Sequence, residues 1–477
     1  MTPATRRELL AAAAASGLLL AAPPTAARRL LSSRAGLGLG RFRDGVASGE
    51  PSASAITFWS RLRTDNPRSG ARLIVSRDDD MRRTAAVRVV PTGRAIDWTL
   101  KARVGGLEPS TEYFYLWQSG NDVSPIGRAR TLPHPSSRDP VRLAFSSCQH
   151  YAHGHFTPHA DAAAQDLDLC VFLGDYVYAE RRSPSPLDPR RDTRNANDLR
   201  SYRAKYRRYR ADPALRELHR LHPMVHIWDD HEVENNYTDN RPAPAELQRA
   251  AGYRAAFEWL PRASFKRDRF RLYRRIRLGR TADLFLLDLR QYRAVDAADR
   301  PVRLLGDAQR DWLLRSLRAS RARWKIIANQ VPIAPMDYGS GRRMDSWGGY
   351  DDSRERLLAE IERAGIDDVV FFTGDAHAFM VNGVASDPAS VPSAIEYVCG
   401  SVTSPGADRP EAEVRARNPW TRQYNARDHG YGLAALDDGR LVVEYRRSDI
   451  ARPDGLTVPF ERFTQPAGVN DVARQPL

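Results

Sequence analysis

One cysteine and three clusters of acidic, phenolic and imidazole side chains carry the chemistry this chain can do. Cys148 follows Phe145-Ser146-Ser147, and the clusters are Gly174-Asp175-Tyr176-Val177-Tyr178, Trp228-Asp229-Asp230-His231-Glu232 and Gly374-Asp375-Ala376-His377. Each stands directly after a short apolar, β-branched run of the kind that forms a buried strand. In an open α/β sheet the carboxyl ends of the strands meet along one edge. A thiol, a phenol, several carboxylates and imidazoles would therefore converge, and that donor set binds metal ions.

Asp175, just past a strand, can bridge two cations, and the Tyr178 phenol can reach one of them. A phenolate is a hard donor that favours trivalent iron, and Cys148 adds a softer ligand on the same side. An isolated Asp-x-x-Tyr would read as a helix cap beside a core tyrosine. Four ionisable groups in a row at 229–232 are unfavourable after a buried strand unless metal or mutual hydrogen bonding neutralises them. Asp230 can ligate a second metal, and His231, beside a bound ester, can protonate or stabilise a leaving oxygen. Asn235 and Asn236 offer neutral oxygen ligands or serve as turn residues. Asp375 and His377, one residue apart on an extended segment, face the same side of the chain. Arg290 and Arg293 can clamp a phosphate or form a structural salt bridge. Asn329 and Gln330, ending a strand, can hydrogen-bond in the site or shape a turn.

The elements that must position these groups follow from periodicity. Strand-like runs lie at 141–145, 170–173, 224–228, 284–287, 325–328 and 369–372, and helical patterns near 196–211, 245–260, 307–319 and 353–364. Strands alternating with helices predict an α/β catalytic domain over 139–460. Ahead of it, at 41–133, short alternating runs and turns predict a small antiparallel β domain. Residues 461–477 read as a C-terminal tail, and 132–137 as a linker.

The chain has 477 residues, 42% hydrophobic and 28% charged, which excludes a disordered or fibrous protein. Residues 1–33 read as an export signal: Arg6-Arg7, an Ala/Leu-rich stretch too short for a membrane span, then small residues, with the paired arginines pointing to the twin-arginine route. A periplasmic or secreted protein is expected, with the export machinery its one implied protein contact. Of the three cysteines, Cys170 sits in an apolar run and reads as core. Cys399 reads as core or near the site, and a Cys148–Cys399 disulfide is open. The formal charge of +14 comes almost wholly from scattered arginines. Tyr202, Tyr206 and Tyr209 fall at helical spacing, so the local basic run reads as a solvated face over packed tyrosines.

Taken together, these motifs resemble the PhoD-type alkaline phosphatases and phosphodiesterases, relatives of the calcineurin-like metallophosphoesterases. The resemblance rests on Gly45-Val46-Ala47-Ser48-Gly49-Glu50-Pro51, Ser147-Cys148-Gln149, the run from Gly174 to Tyr178, Trp228 to Asn236, Leu287 to Arg293, Asn329-Gln330-Val331-Pro332 and Gly374-Asp375-Ala376-His377. It implies a layered β-sandwich flanked by helices, preceded by a fibronectin type III-like β domain. It implies ferric iron held by Cys148, Asp175 and Tyr178, and calcium shared among Asp175, Asp230, Asn235, Asp375 and His377. The activity implied is hydrolysis of phosphate mono- and diesters, a metal-activated hydroxide attacking phosphorus in line, with Asp230 and His231 catalytic and Arg290 and Asn329 near the substrate. Phospholipid or nucleic-acid fragments are among the esters such a site could take. A phospholipase D-type enzyme, an extracellular nuclease and a non-catalytic surface-binding protein are the alternatives.

Overall fold

The computed structural model describes residues 41–66, 69–181, 194–238, 245–262, 268–298, 300–339 and 345–477; the expected export signal lies outside them. Among these residues, two mixed sheets stack face to face. One has ten strands, in the order Ala473–Pro476, Thr457–Pro466, Arg440–Ser448, His429–Leu436, Val141–Ser146, Leu169–Phe172, Pro223–His226, Val46–Gly49, Ala55–Arg61 and Thr99–Gly105. The other has seven: Arg274–Leu278, Ala282–Leu286, Trp324–Asn329, Val369–Thr373, Ala394–Cys399, Phe379–Val384 and Thr421–Asn425. All six predicted strand runs of the catalytic region are found, and their central members pair in parallel.

Alternation along each strand decides what it covers. Leu284 and Leu286 point into the core between the sheets, where the rings of Phe145 and Phe372 stack at 4.2 Å. Phe285 and Leu287 point outward, against Leu313, Leu317, Leu357 and Ile361 of the helices Asp307–Arg318 and Asp351–Arg363. Both faces are covered, so the strand reads as one continuous apolar run. The helices Leu199–Tyr209 and Pro213–Leu221 start at Asp198 and Asp212, whose carboxylates accept first-turn amides. The three tyrosines of the first are fully buried. The helices Thr157–Ala164 and Pro213–Leu221 were not expected from the pattern; they are short, and the first has no charged residue at either end to mark it.

The region 41–133 is β-rich, as expected, and its strands divide between two sheets. Five of its strands form a separate antiparallel sheet, while Val46–Gly49, Ala55–Arg61 and Thr99–Gly105 extend the ten-stranded one. The joint is the parallel pairing of Ser48 with Pro223 and Gly49 with Met224. A Cβ on Gly49 would lie 2.4 Å from the Met224 carbonyl oxygen, so only glycine admits this approach. The next residue, Glu50, is buried and accepts from Arg274 Nε at 2.8 Å. The expectation of a tail at 461–477 needs correction: Thr457–Pro466 pairs with Arg440–Ser448 and Ala473–Pro476 closes the sheet edge. Phe463 anchors them in the core, and Arg474 pairs with Glu461 at 2.6 Å.

Candidate metal centre

The loops leaving the carboxyl ends of Val141–Ser146, Leu169–Phe172, Pro223–His226 and Val369–Thr373 carry Cys148, Asp175, Asp229/Asp230 and Asp375. These loops are tightly interlocked. Cys148 N–H donates to the Gly174 carbonyl at 3.1 Å, and Gln149 N–H to that of Asp175 at 3.1 Å. Gly174 has φ +116°, and a Cβ there would lie 2.5 Å from Asp229 Cβ. Cys148, Asp175, Asp375 and His377 all have left-handed backbone, at φ 60°, 58°, 58° and 51°. Such non-glycine conformations are unfavourable by about 1–3 kcal/mol each and collect where function requires them.

Among the described residues three donor groups result, each with ligand atoms within 4.8 Å of one another: Cys148, Asp175 and His377; Asp175, Asp230 and His231; and Asp229, Asp230 and Asp375. Asp175 and Asp230 are each shared by two of them. The Tyr178 hydroxyl donates to Asp175 Oδ2 at 2.9 Å and stands 3.5 Å from His377 Nε2. His377 Nδ1 donates to the Pro405 carbonyl at 2.9 Å, which leaves Nε2 as the ligating nitrogen. The segment 375–377 is a bend rather than the extended piece expected. Its two side chains consequently diverge: His377 joins the thiol side and Asp375 the carboxylate side.

A surrounding layer of polar contacts fixes these groups. Glu232 accepts backbone amides from Tyr176 on Oε1 and from Asp175 and Asp229 on Oε2, at 2.6, 3.1 and 2.9 Å, tying two loops together. His231 Nδ1 donates to Glu180 Oε2 at 2.8 Å, and its ring stacks on Tyr178 at 4.2 Å. Ser404 Oγ lies 2.5 Å from the Tyr178 hydroxyl. Asn236 reaches the carboxylates. Its backbone amide donates to Asp230 Oδ2 at 2.7 Å, and its side-chain nitrogen, turned toward these acceptors, lies 3.1 Å from Asp230 and Asp345. Asn235 is exposed and its backbone amide donates to Glu180. Glu180, Ser404 and Asp345 carried no sequence signal, since each sits alone in a loop without a motif around it.

The two expected substrate-binding residues are placed otherwise. Arg290 is fully buried, with Nε on Asp229 Oδ1 at 2.5 Å and its terminal nitrogens on Asp345 at 2.8 and 2.9 Å. Asn329 is also fully buried, donating to Thr373 Oγ1 at 2.8 Å and accepting from Trp347 Nε1 at 2.9 Å. Both scaffold the site because their polar atoms are already committed to protein partners. All three cysteines are free and buried, so the Cys148–Cys399 disulfide is not formed; Cys399 Sγ instead lies 3.5 Å from Ser147 Oγ.

The electrostatics call for cations. Burial, then Asp230 and Asp229, push the Asp175 carboxyl well above its ordinary range, though His231 opposes this; burial likewise raises Asp229 against Arg290. Burial and Asp175 raise the Cys148 thiol and the Tyr178 phenol well above theirs. Burial disfavours the charged His231, yet Asp230, Asp175 and Glu180 push it up to about 10. Asp229 Oδ2 and Asp230 Oδ1 are buried without a hydrogen bond. A positive ion satisfies these atoms and stabilises thiolate, phenolate and carboxylate together, so the donor set fits metal ions.

Comparison with known proteins agrees with this geometry. Residues 143–449 match the PhoD-like phosphatase family and 29–133 the N-terminal domain of PhoD-like phosphatases. The chain is 33% identical over 464 residues to alkaline phosphatase D of Bacillus subtilis (strain 168), covering 87% of this chain and 79% of that one. The solved structure of PhoD superposes with a TM-score of 0.85 at 30% identity, over 91% of this chain and 92% of that one. Purple acid phosphatase PPD1 from yellow lupin (Lupinus luteus) seeds shares the fold, with a TM-score of 0.60 at 14% identity over 88% of this chain and 73% of that one. The chain belongs to the PhoD-like phosphatase family.

Proposed function

We propose that this phosphoric ester hydrolase is an exported, metal-dependent phosphomonoesterase and phosphodiesterase, with ferric iron at the thiol side of the site and calcium at the carboxylate side. The observation that carries the reading is the unlike chemistry of the donor groups joined through Asp175. Thiol, phenol and imidazole from Cys148, Tyr178 and His377 suit iron. The oxygen-only set Asp229, Asp230 and Asp375 suits a hard cation such as calcium. Bound there, the metals would supply charge neutralisation at the phosphoryl oxygens and acidify the attacking water.

The chain's own residues supply the rest. In its charged form, with a proton on each ring nitrogen, His231 gives Nδ1–H to Glu180 while the stacked Tyr178 ring fixes the plane, which leaves Nε2–H as the proton given to the departing oxygen as water attacks phosphorus from the opposite side. Arg290 and Asn236 hold Asp229 and Asp230 in place. Export is supported by Arg6-Arg7 and the apolar stretch behind them. No helix of the described residues is long and apolar enough to cross a membrane.

The test is elemental analysis of protein purified without chelators, with p-nitrophenyl phosphate and bis-p-nitrophenyl phosphate assayed before and after chelation. Iron with calcium, a visible phenolate charge-transfer band lost in Tyr178→Phe, and metal-restored activity are expected. Zinc alone, or activity indifferent to chelation, overturns the assignment.

A further inference from the structure

Beside Glu232 lies a small cavity whose lining includes Tyr206, His226, Trp228, Glu232 and Arg262, with free space of about 10 Å³, roughly what one water needs. All five residues are buried, Tyr206 at 0% exposure and Trp228 the most open at 3%. Tyr206 OH, both ring nitrogens of His226, Trp228 Nε1 and Arg262 Nε have no hydrogen-bond partner within the protein. The remainder of the Arg262 guanidinium is occupied, donating to the carbonyls of His226 at 3.4 Å and Arg271 at 2.8 Å over the Phe257 ring. Buried polar atoms left unpaired are strongly unfavourable. The four residues that carry these five atoms all line the same water-sized space.

Donor and acceptor capacities fix the arrangement. Arg262 Nε and Trp228 Nε1 can only donate, and together they fill the two acceptor positions of a single water. A carboxylate offers about four lone-pair positions, and Glu232 uses three of them for the amides of Asp175, Tyr176 and Asp229. One remains for the water's first hydrogen, and the second serves His226 or Tyr206, both able to accept. We propose that this cavity holds one structural water linking Arg262 and Trp228 to Glu232, which makes Arg262, Trp228 and His226 positioning residues for the carboxylate that locks the two aspartate loops. Their influence on catalysis runs through Glu232 and never through contact with substrate.

A crystal structure of the metal-loaded protein at a resolution that shows ordered water provides the first test. Density within hydrogen-bond distance of Arg262 Nε, Trp228 Nε1 and Glu232 Oε1 is expected; an empty cavity, or these atoms paired with one another, overturns the proposal. The kinetic test rests on the hydrolase reading of the site and the crystallographic one does not, so the two can fail separately. Trp228→Phe keeps an aromatic ring against Tyr253 and removes the donor together with part of the indole. It should lower kcat about tenfold, the low end for such outer partners, at unchanged KM, and the loss should vanish in a Glu232→Gln background. Arg262→Lys, which keeps the charge but moves the donor, is read the same way should the first variant fold poorly. Lower thermal stability with unaltered kcat, or losses that simply multiply with Glu232→Gln, means these residues only fill space and refutes the positioning role.

Discussion

Replacing Arg290 by methionine separates a scaffold from a phosphate clamp. The guanidinium is fully buried and faces three carboxylates: Asp229 at 2.5 Å, Asp345 at 2.8 Å and Asp230 at 3.7 Å. Removing one member of such a buried set strands the others, a loss of about 3–5 kcal/mol. Against a total stability of about 5–15 kcal/mol, the protein should stay folded but unfold at much lower urea. Cations at the site offset the stranded charge of Asp229 and Asp230, so chelated protein should lose more than metal-loaded protein. The double variant Arg290→Met/Asp345→Asn removes one stranded charge and should recover part of the loss. Because the side chain orients Asp229 and Asp230, the proposed metal ligands, kcat on p-nitrophenyl phosphate should fall about 10–100-fold, while KM and inhibition by inorganic phosphate stay within about twofold. A large rise in KM with weakened phosphate inhibition and unchanged urea midpoint would show that Arg290 reaches the substrate, and the reasoning would be wrong.

Three further outcomes follow from the geometry. His231→Asn should slow alkyl phosphate esters by about 10²–10⁴-fold more than needed to explain p-nitrophenyl esters, whose leaving group requires no proton; equal losses on both classes would remove His231 from the acid role. Gly174→Ala forces a Cβ to within 2.5 Å of Asp229 Cβ at φ +116°, so bound metal and activity should both drop sharply, and a fully loaded, active variant would contradict the interlocked loops. Lys101 is held at about 7, below its ordinary 10.5, chiefly by burial and then by Arg262. Between those values the unfolded chain holds a proton the folded chain has released, so stability rises with pH across that window, by up to about 1.4 kcal/mol per unit. Lys101→Met should be more stable at pH 7 and flatten this slope in urea unfolding; parallel pH profiles would sink the idea.

Much of the site could be read in one dimension because its groups belong to turns that directly follow buried strands. Cys148, Asp175, Asp230 and Asp375 each lie two or three residues beyond an apolar run; strand polarity sends the first three to one edge of the ten-stranded sheet, and stacking of the seven-stranded sheet brings Asp375 to them. The contacts supplied by isolated loop residues were not legible. Asp345 stands 52 residues beyond Arg293, to which it is paired, and no periodicity announces such a partnership. Arg290 illustrates the same gap from the other side: its position after a strand suits either a clamp or a salt bridge, and burial among three carboxylates decides for the latter.

The amino-acid sequence by itself determined the donor types, the order of strands and helices and the α/β layering, since these depend on composition and on periods of two and 3.6 residues. Tertiary structure alone decided how those donors are partitioned. The left-handed backbone at Asp375 and His377 sends neighbouring side chains to different groups, which an extended segment would not. Register across the ten-stranded sheet decided that the strands at 46–49, 55–61 and 99–105 extend the catalytic sheet rather than form their own. Such outcomes depend on which backbone edges and which buried charges meet across hundreds of residues, and that is settled by packing, not by local preference.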